Sequence, residues 1–187
     1  MDKNVAGFLR PDEKILWEGK PKRKIFSASD WINVPMQLIG LAIFIVIMFF
    51  IAPEFAASIP FAVIVFYVLL TAGMAYMAIG RFFVKLYVQA RTEYYVTDYR
   101  VVVVKNLRKQ KVKSQNINSI RSIRKKANNN GISKIIFGES PIFSFLYENT
   151  YMYPEAWIRV EMPLGFYDID ESDADEIHKI LLENKSK

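Results

Sequence analysis

The chain has 187 residues, is 52% hydrophobic and 14% aromatic, and carries a formal net charge of +6. This apolar content excludes a disordered or low-complexity protein. With no cysteine and one histidine, the chain also lacks the residues for a disulfide scaffold, a thiol nucleophile, a zinc cluster or an iron–sulfur site.

Two long apolar segments follow a basic leader at residues 1–33. Residues 34–52 and 59–80 contain no charged side chain, and each has the roughly 20 residues that a helix needs to cross a bilayer. Neither segment has a polar face, which disfavours two buried helices of a soluble domain. The sequence therefore predicts a two-helix transmembrane hairpin over residues 34–80. Because no ionisable group lies inside the spans, a transporter or channel is disfavoured.

The distribution of basic residues predicts the orientation of this hairpin. Residues 1–33 carry seven lysines or arginines, residues 53–58 carry none, and Arg81, Lys85 and Arg91 follow the second span. Positive charge is enriched on the cytoplasmic side of membrane proteins. The sequence thus predicts a multi-pass protein of the cell (inner or plasma) membrane with both termini in the cytoplasm.

Residues 81–187 have the pattern of a separate cytoplasmic domain. Residues 82–88 are amphipathic and continue the second helix, and Asn106 is suited to a left-handed turn. Short runs rich in β-branched and aromatic residues predict strands; they fall at 93–97, 100–105, 109–114, 132–137 and 156–162. These runs predict an antiparallel sheet.

A helix ends this domain. Ser172 is a suitable N-cap, and acidic residues in the first turn favour the positive end of the helix dipole. Ile177, Ile180 and Leu181 form an apolar stripe, with Leu182 on its flank. The fold class predicted for the chain is therefore α+β, with a bent antiparallel sheet capped by a C-terminal helix.

Two motifs flank the apolar segments. Residues 9–21 read Leu-x-Pro-x-Glu-x-x-x-Trp-x-Gly-x-Pro, and residues 95–100 read Tyr-x-Thr-Asp-x-Arg. In this order around two spans, they resemble the bacterial pleckstrin-homology (PH) domain membrane proteins with two transmembrane helices. The resemblance implies a PH-like β-sandwich or barrel capped by a C-terminal helix. Such a fold is a binding scaffold on which function varies.

The domain contains a strongly basic stretch. Residues 99–138 include eleven lysines or arginines and no acidic residue, and basic groups close to an anionic leaflet each contribute about 1 kcal/mol of attraction. One interpretation is contact with lipid or the membrane surface, and the other is a solvated face without a ligand. The residues predicted for the contact are Lys109, Lys111, Lys113, Arg124, Lys125 and Lys126.

Aromatic residues are concentrated after this stretch. Exposed aromatics mark partner sites, which favours Phe143, Phe145, Tyr147 and Trp157 as partner contacts. The alternative is that they point into the sheet core. For Trp17, we expect packing against the PH-like domain or the membrane surface rather than a ligand site.

Motifs for chemistry are missing from the sequence. It has no nucleophile elbow, P-loop or dinucleotide-binding glycine motif, and the acidic residues of 168–176 lack the pattern of a calcium loop. We therefore expect no enzyme, cofactor or metal, no nucleic acid and no small-molecule substrate. The predicted function is binding or scaffolding at the inner membrane surface, through membrane lipids, a partner membrane protein or a homo-oligomer. The alternative is an accessory subunit of a membrane transport or secretion complex.

Overall fold

A computed structural model of the chain describes residues 9–26, 30–55, 61–128, 131–139 and 164–185. The chain forms two compact units. The first, here the sheet unit, contains Met1–Lys24, Tyr87–Pro141 and Glu161–Lys187, and the second, the helical unit, contains Ile25–Leu86 and Ile142–Val160.

Helices occupy both predicted apolar segments. They are α1 (Asp30–Phe55), α2 (Phe61–Ala75), a π-helical turn (Tyr76–Gly80) and α3 (Arg81–Gln89). The last three are continuous, so the predicted continuation of the second helix is confirmed. Gly80 is needed in the π turn because a Cβ there would lie 2.9 Å from the ring of Tyr76.

The predicted pair of membrane spans is only partly matched. Within the described residues, one helix, Val63–Gln89, is long and apolar enough to cross a membrane. Val34–Ile47 is a shorter apolar helical stretch. A hairpin of two membrane spans is therefore not shown.

The sheet unit contains two antiparallel sheets and a C-terminal helix, as the fold class predicted. The first sheet has the order β1 (Ile15–Gly19), β2 (Thr92–Thr97), β3 (Arg100–Asn106), β4 (Gln110–Asn116). The second has the order β5 (Ile123–Asn128), β6 (Ile132–Phe137), β7 (Leu164–Asp170), and a 3-10 turn (Ile117–Ser119) precedes it. Helix α4 (Glu171–Lys185) follows β7 directly.

The main core of this unit joins both sheets to α4. Every strand except β4 contributes inward-facing residues, which alternate along β2, β3 and β6 as half-buried strands require, and Ala174, Ile177 and Leu181 bury one face of α4. Leu182 is 51% exposed, so the predicted stripe and its flank are confirmed. The predicted N-cap is wrong, because α4 begins at Glu171 and Ser172 lies in its first turn.

Three strands escaped prediction from the sequence. Strand β1 comes from the leader, β5 contains the basic residues Arg124, Lys125 and Lys126, and β7 includes the glycine at position 165, where the pattern is poor in β-branched residues. The strand predicted at 156–162 lies outside the described residues, as do Phe143, Phe145, Tyr147 and Trp157.

Candidate functional site

The two sequence motifs meet in one ion-paired cluster, which we call the leader clasp (Glu13, Thr97 and Arg100). Strands β2 and β3 place Thr97 and Arg100 on either side of a two-residue turn. Nε and Nη2 of Arg100 donate to Oε1 and Oε2 of Glu13, each at 2.8 Å. The Thr97 hydroxyl donates to Oε1 of Glu13 at 2.7 Å. This bidentate geometry fixes the leader on the β2–β3 turn.

Electrostatics within the leader clasp favour the charged carboxylate. Burial raises the pKa of Glu13, but hydrogen bonds from Arg100, the Arg10 backbone and Thr97 outweigh it and lower the pKa from 4.5 to about 2. The hydrogen bonds that Arg100 donates to the Glu13 carboxylate in turn raise the pKa of Arg100. The clasp is therefore a permanent ion pair at neutral pH.

Trp17 and Gly19 form the second part of the leader's structure. The indole of Trp17 is 9% exposed and stacks on Phe166, with ring centroids 5.9 Å apart. Its ring lies over Gly19, where a Cβ would be 2.3 Å from Cη2. Trp17 thus packs into the core of the sheet unit, and packing against the domain was one of the two positions that we expected for it. The Trp-x-Gly spacing of the motif is therefore explained by core packing, because glycine at position 19 leaves room for the buried indole of Trp17.

The end of α3 is held by a third cluster, made by Gln89, Asp168 and the backbone of the leader. The Gln89 amide donates to Oδ2 of Asp168 at 2.7 Å and to the Lys24 carbonyl at 3.3 Å. The Lys22 N–H donates to the Asp168 carbonyl at 2.6 Å. Asp168 has φ of 56°, an uncommon conformation for a non-glycine residue.

The left-handed turn predicted at Asn106 is wrong. Asn106 ends β3, and its N–H donates to the Arg91 carbonyl at 2.7 Å. Asp168 is the one non-glycine residue with positive φ in the described ranges. No local sequence signal marks it, because the conformation depends on Lys22 and Gln89, which are distant in sequence.

Three of the predicted basic contact residues lie at or in β4. Lys109, Lys111 and Lys113 are exposed, and so is every other residue of β4 except the half-buried Gln115. Strand β4 is at the end of its sheet. These three lysines therefore form a basic edge, as their alternation predicted.

The other three contact residues do not join this edge. Arg124 and Lys126 are exposed on one face of β5, whereas Lys125 shares the opposite face with Ile123, which packs on the core. Lys125 Nζ contacts Asp175 at 2.5 Å and Glu171 at 4.0 Å. Its charge is thus balanced by α4, and the six residues do not form one continuous site.

Helix α3 has its polar and apolar faces reversed relative to a helix in water. Arg81 and Lys85, one turn apart, are fully buried. Phe83 is 71% exposed, and Val84 and Tyr87 are also exposed. In the helical unit, Arg81 Nη2 lies 2.8 Å from Oδ1 of the buried Asp30. The sequence showed that α3 is amphipathic but not which of its faces is buried.

A cleft opens between the helices of the helical unit. Its volume is about 270 Å³, and it is lined by Met36, Gln37 and Gly40 of α1, Met74 of α2 and Met77 of the π turn. Its walls are mainly apolar, with the Gln37 amide as the polar group.

The structure offers no cluster for metal chemistry in the part of the chain it describes, since no three His, Asp or Glu side chains converge there. Comparisons with protein-family models, curated proteins and solved structures gave no match.

Proposed function

We propose that the chain is a non-enzymatic, membrane-anchored binding or scaffolding protein of the bacterial PH-domain membrane protein type. It crosses the inner membrane twice with both termini in the cytoplasm. Its PH-like domain then binds at the inner membrane surface, to anionic lipid, to a partner protein or to further copies of the chain. The observation that supports this proposal is that α3 buries Arg81 and Lys85 while it exposes Phe83.

The exposed face of α3 requires apolar surroundings. Leaving a phenylalanine in water forfeits roughly 2 kcal/mol of burial, and burying two cations adds a desolvation cost. The first cost disappears if the exposed face lies in the bilayer, where aromatic residues are favoured near the headgroups. A helix in lipid is also expected to turn its cations toward the protein interior. The helix Val63–Gln89 has 27 residues and so is about 40 Å long, which reaches from a core of about 30 Å into the headgroup layer.

The surface of α1 supports the same arrangement. Met36, Ile39, Ile43 and Phe50 are more than half exposed, on a helix that carries no charge after Asp30 until Glu54. A contiguous apolar surface of this extent marks an interaction with membrane or protein. It supports a first span beside the second.

A cysteine-based measurement tests the position of α3. The chain has no cysteine, so Phe83→Cys carries a single environment-sensitive fluorophore in the full chain, reconstituted in lipid nanodiscs. We expect blue-shifted emission and protection from an aqueous quencher. Leu182→Cys, on the exposed flank of α4, is the matched control and should be quenched. Equal quenching at both positions would place α3 in water and refute the proposal.

The second candidate is an accessory subunit of a membrane transport or secretion complex, which the Met-lined cleft favours. Methionine-rich surfaces adapt to different partners, and a polar amide in a membrane helix supports helix association. Purification in mild detergent separates the two candidates. If a membrane protein co-purifies in stoichiometric amount, and if Gly40→Leu, which fills the cleft, abolishes that co-purification, the chain is an accessory subunit. A monomer or homo-oligomer favours the first proposal.

A further inference from the structure

We propose that three arginines near the end of α3 bind the phosphate group of an anionic phospholipid in the cytoplasmic leaflet. We call them the arginine junction (Arg23, Arg91 and Arg108). This inference deepens the proposed function, because it selects anionic lipid among the three kinds of partner and names the residues that bind it. It rests on that proposal for the position of α3 in the membrane.

Hydrogen bonds bring the segments that carry these arginines to one place in the sheet unit. Arg91 lies between α3 and β2. On one side, the Lys24 N–H donates to Oε1 of Gln89 at 3.2 Å, which places Arg23 of the leader beside the end of α3. On the other side, the Asn106 N–H donates to the Arg91 carbonyl at 2.7 Å. The leader and the β3–β4 turn therefore flank Arg91.

The charges of the arginine junction are available to a ligand. Its three side chains are exposed, including that of Arg108 in the β3–β4 turn, and none of them has an acidic partner in the described ranges. Two acids of neighbouring strands already pair with lysines of the leader, Glu93 with Lys20 at 2.9 Å and Asp170 with Lys22. The junction thus keeps an excess of positive charge that attracts an anion.

Arg91 is held in a position suited to phosphate. Its guanidinium carbon lies 3.9 Å from the centroid of the Tyr87 ring. Stacking of this kind leaves the edge of the planar guanidinium open, and that edge can donate two parallel hydrogen bonds to a phosphate. The Val88 carbonyl at the helix end accepts instead from the Arg91 N–H at 3.0 Å and the Thr92 hydroxyl at 2.8 Å.

The position of Arg91 along the chain fits the phosphate layer of a bilayer. In the proposed topology, the helix Val63–Gln89 crosses the membrane, and Arg91 follows its last residue by two positions. Tyr87 is 49% exposed, and tyrosine is enriched at the level of the headgroups. Basic residues directly cytoplasmic of a span are attracted to anionic lipid. The arginine junction therefore meets lipid phosphate where the span ends.

Two other anions fit the arginine junction less well. A free phosphate would leave the exposed ring of Tyr87 in water. An acidic protein segment offers carboxylates, but it has to be recruited from solution, whereas lipid phosphate is present beside the span at a high effective concentration. A phospholipid uses both the charge of the arginines and the exposed aromatic ring.

Lipid retention by the full chain tests the inference. The chain is reconstituted in nanodiscs with equal amounts of phosphatidylglycerol and phosphatidylcholine and then transferred to mild detergent. Native mass spectrometry counts the phospholipids that remain bound. We expect the chain to retain the anionic lipid with a preference of at least about tenfold. An excess of inorganic phosphate should not displace it.

Single substitutions assign this preference to the arginine junction. Arg23→Gln, Arg91→Gln and Arg108→Gln should each reduce it about fivefold, the factor that one basic group near an anionic surface contributes. Arg91→Lys keeps the charge without the planar fork and should also reduce it. Arg121→Gln is the matched control, because this exposed arginine follows the other end of β4, about 20 Å from the β3–β4 turn.

Several results would overturn the inference. One is equal retention of the two lipids, and another is an acidic protein that co-purifies with the chain and is lost with Arg91→Gln. Displacement by inorganic phosphate would assign the junction to a soluble ligand. Equal effects of Arg121→Gln and Arg91→Gln, or full retention by Arg91→Lys, would show diffuse attraction without a phosphate site.

The Phe83→Cys measurement separates this inference from the membrane proposal. Protection of position 83 from the quencher, together with any of these results, would refute the lipid site alone. Quenching at position 83 would refute the membrane proposal itself. The two failures are therefore distinguishable.

Discussion

The leader motif of this chain is explained by contacts at single residues. Glycine at position 19 is required because the ring of Trp17 occupies the space of a Cβ. Glu13 is required because Arg100 and Thr97 direct three donor atoms at its carboxylate. These residues build the fold, because they hold the leader on the first sheet.

Replacement of Gly19 by alanine should destabilise the sheet unit. A Cβ 2.3 Å from Cη2 of Trp17 forces the indole out of its place against Phe166, and overpacking of this kind costs about 1–3 kcal/mol. Denaturant unfolding followed by Trp17 fluorescence, with Trp31 and Trp157 replaced by phenylalanine, measures the loss. Gly73→Ala is the control, because a Cβ at position 73 meets no atom within 4 Å. An unchanged midpoint for Gly19→Ala would contradict the role assigned to the glycine.

The leader clasp should make stability depend on pH in the acid range. The folded-state pKa of Glu13 is about 2, below its ordinary value of 4.5, so the clasp's contribution is complete above pH 4.5 and is lost as the pH falls toward 2. The shift corresponds to about 3 kcal/mol. Glu13→Gln should lower the free energy of unfolding by about that amount at pH 7, and its difference from the unmodified chain should shrink below pH 4.5. A difference that stays constant down to pH 2 would exclude this linkage.

At the scale of elements, the reversed helix α3 is held by a buried ion pair with the first residue of α1. Removing one partner of such a pair leaves the other charge buried, which costs about 3–5 kcal/mol. We expect Asp30→Asn and Arg81→Gln each to destabilise the helical unit strongly. The double variant should lose less than the two single losses together, as thermal unfolding in nanodiscs would show.

An exposed ion pair provides the comparison for the single and double substitutions of Asp30 and Arg81. Lys22 and Asp170 form a salt bridge in which both side chains are partly exposed, at 53% and 37%. Exposed pairs contribute at most about 1 kcal/mol, so Lys22→Gln should have a small effect. Strict additivity of the Asp30 and Arg81 substitutions would show that their contact contributes no coupling.

At the scale of the whole molecule, the proposed topology places residues of both chain ends on the same side of the membrane. Single cysteines at Asp12, Ser58 and Leu182 can be treated with a membrane-impermeant maleimide in intact cells. We expect labelling at position 58 from outside, and labelling at 12 and 182 only after permeabilisation. Positions 12 and 182 on opposite sides would show a single span and overturn the hairpin.

The sequence by itself determined the elements whose pattern is local. Periodicity and apolar length predicted both helical segments, the continuation into α3 and the stripe of α4, and β-branched runs predicted β2, β3 and β6. These patterns need no distant partner, because each reflects the repeat of one helix or one strand.

Only the tertiary structure decided which partners these elements have. It placed the leader in the first sheet as β1, paired Lys125 with the acids of α4, and buried Arg81 and Lys85 while exposing Phe83. The physical reason is that each outcome depends on residues far away in the chain. Glu13 and Arg100 are 87 positions apart. The order of charged residues along the chain likewise does not reveal whether a given side chain contacts water, an acidic residue or lipid.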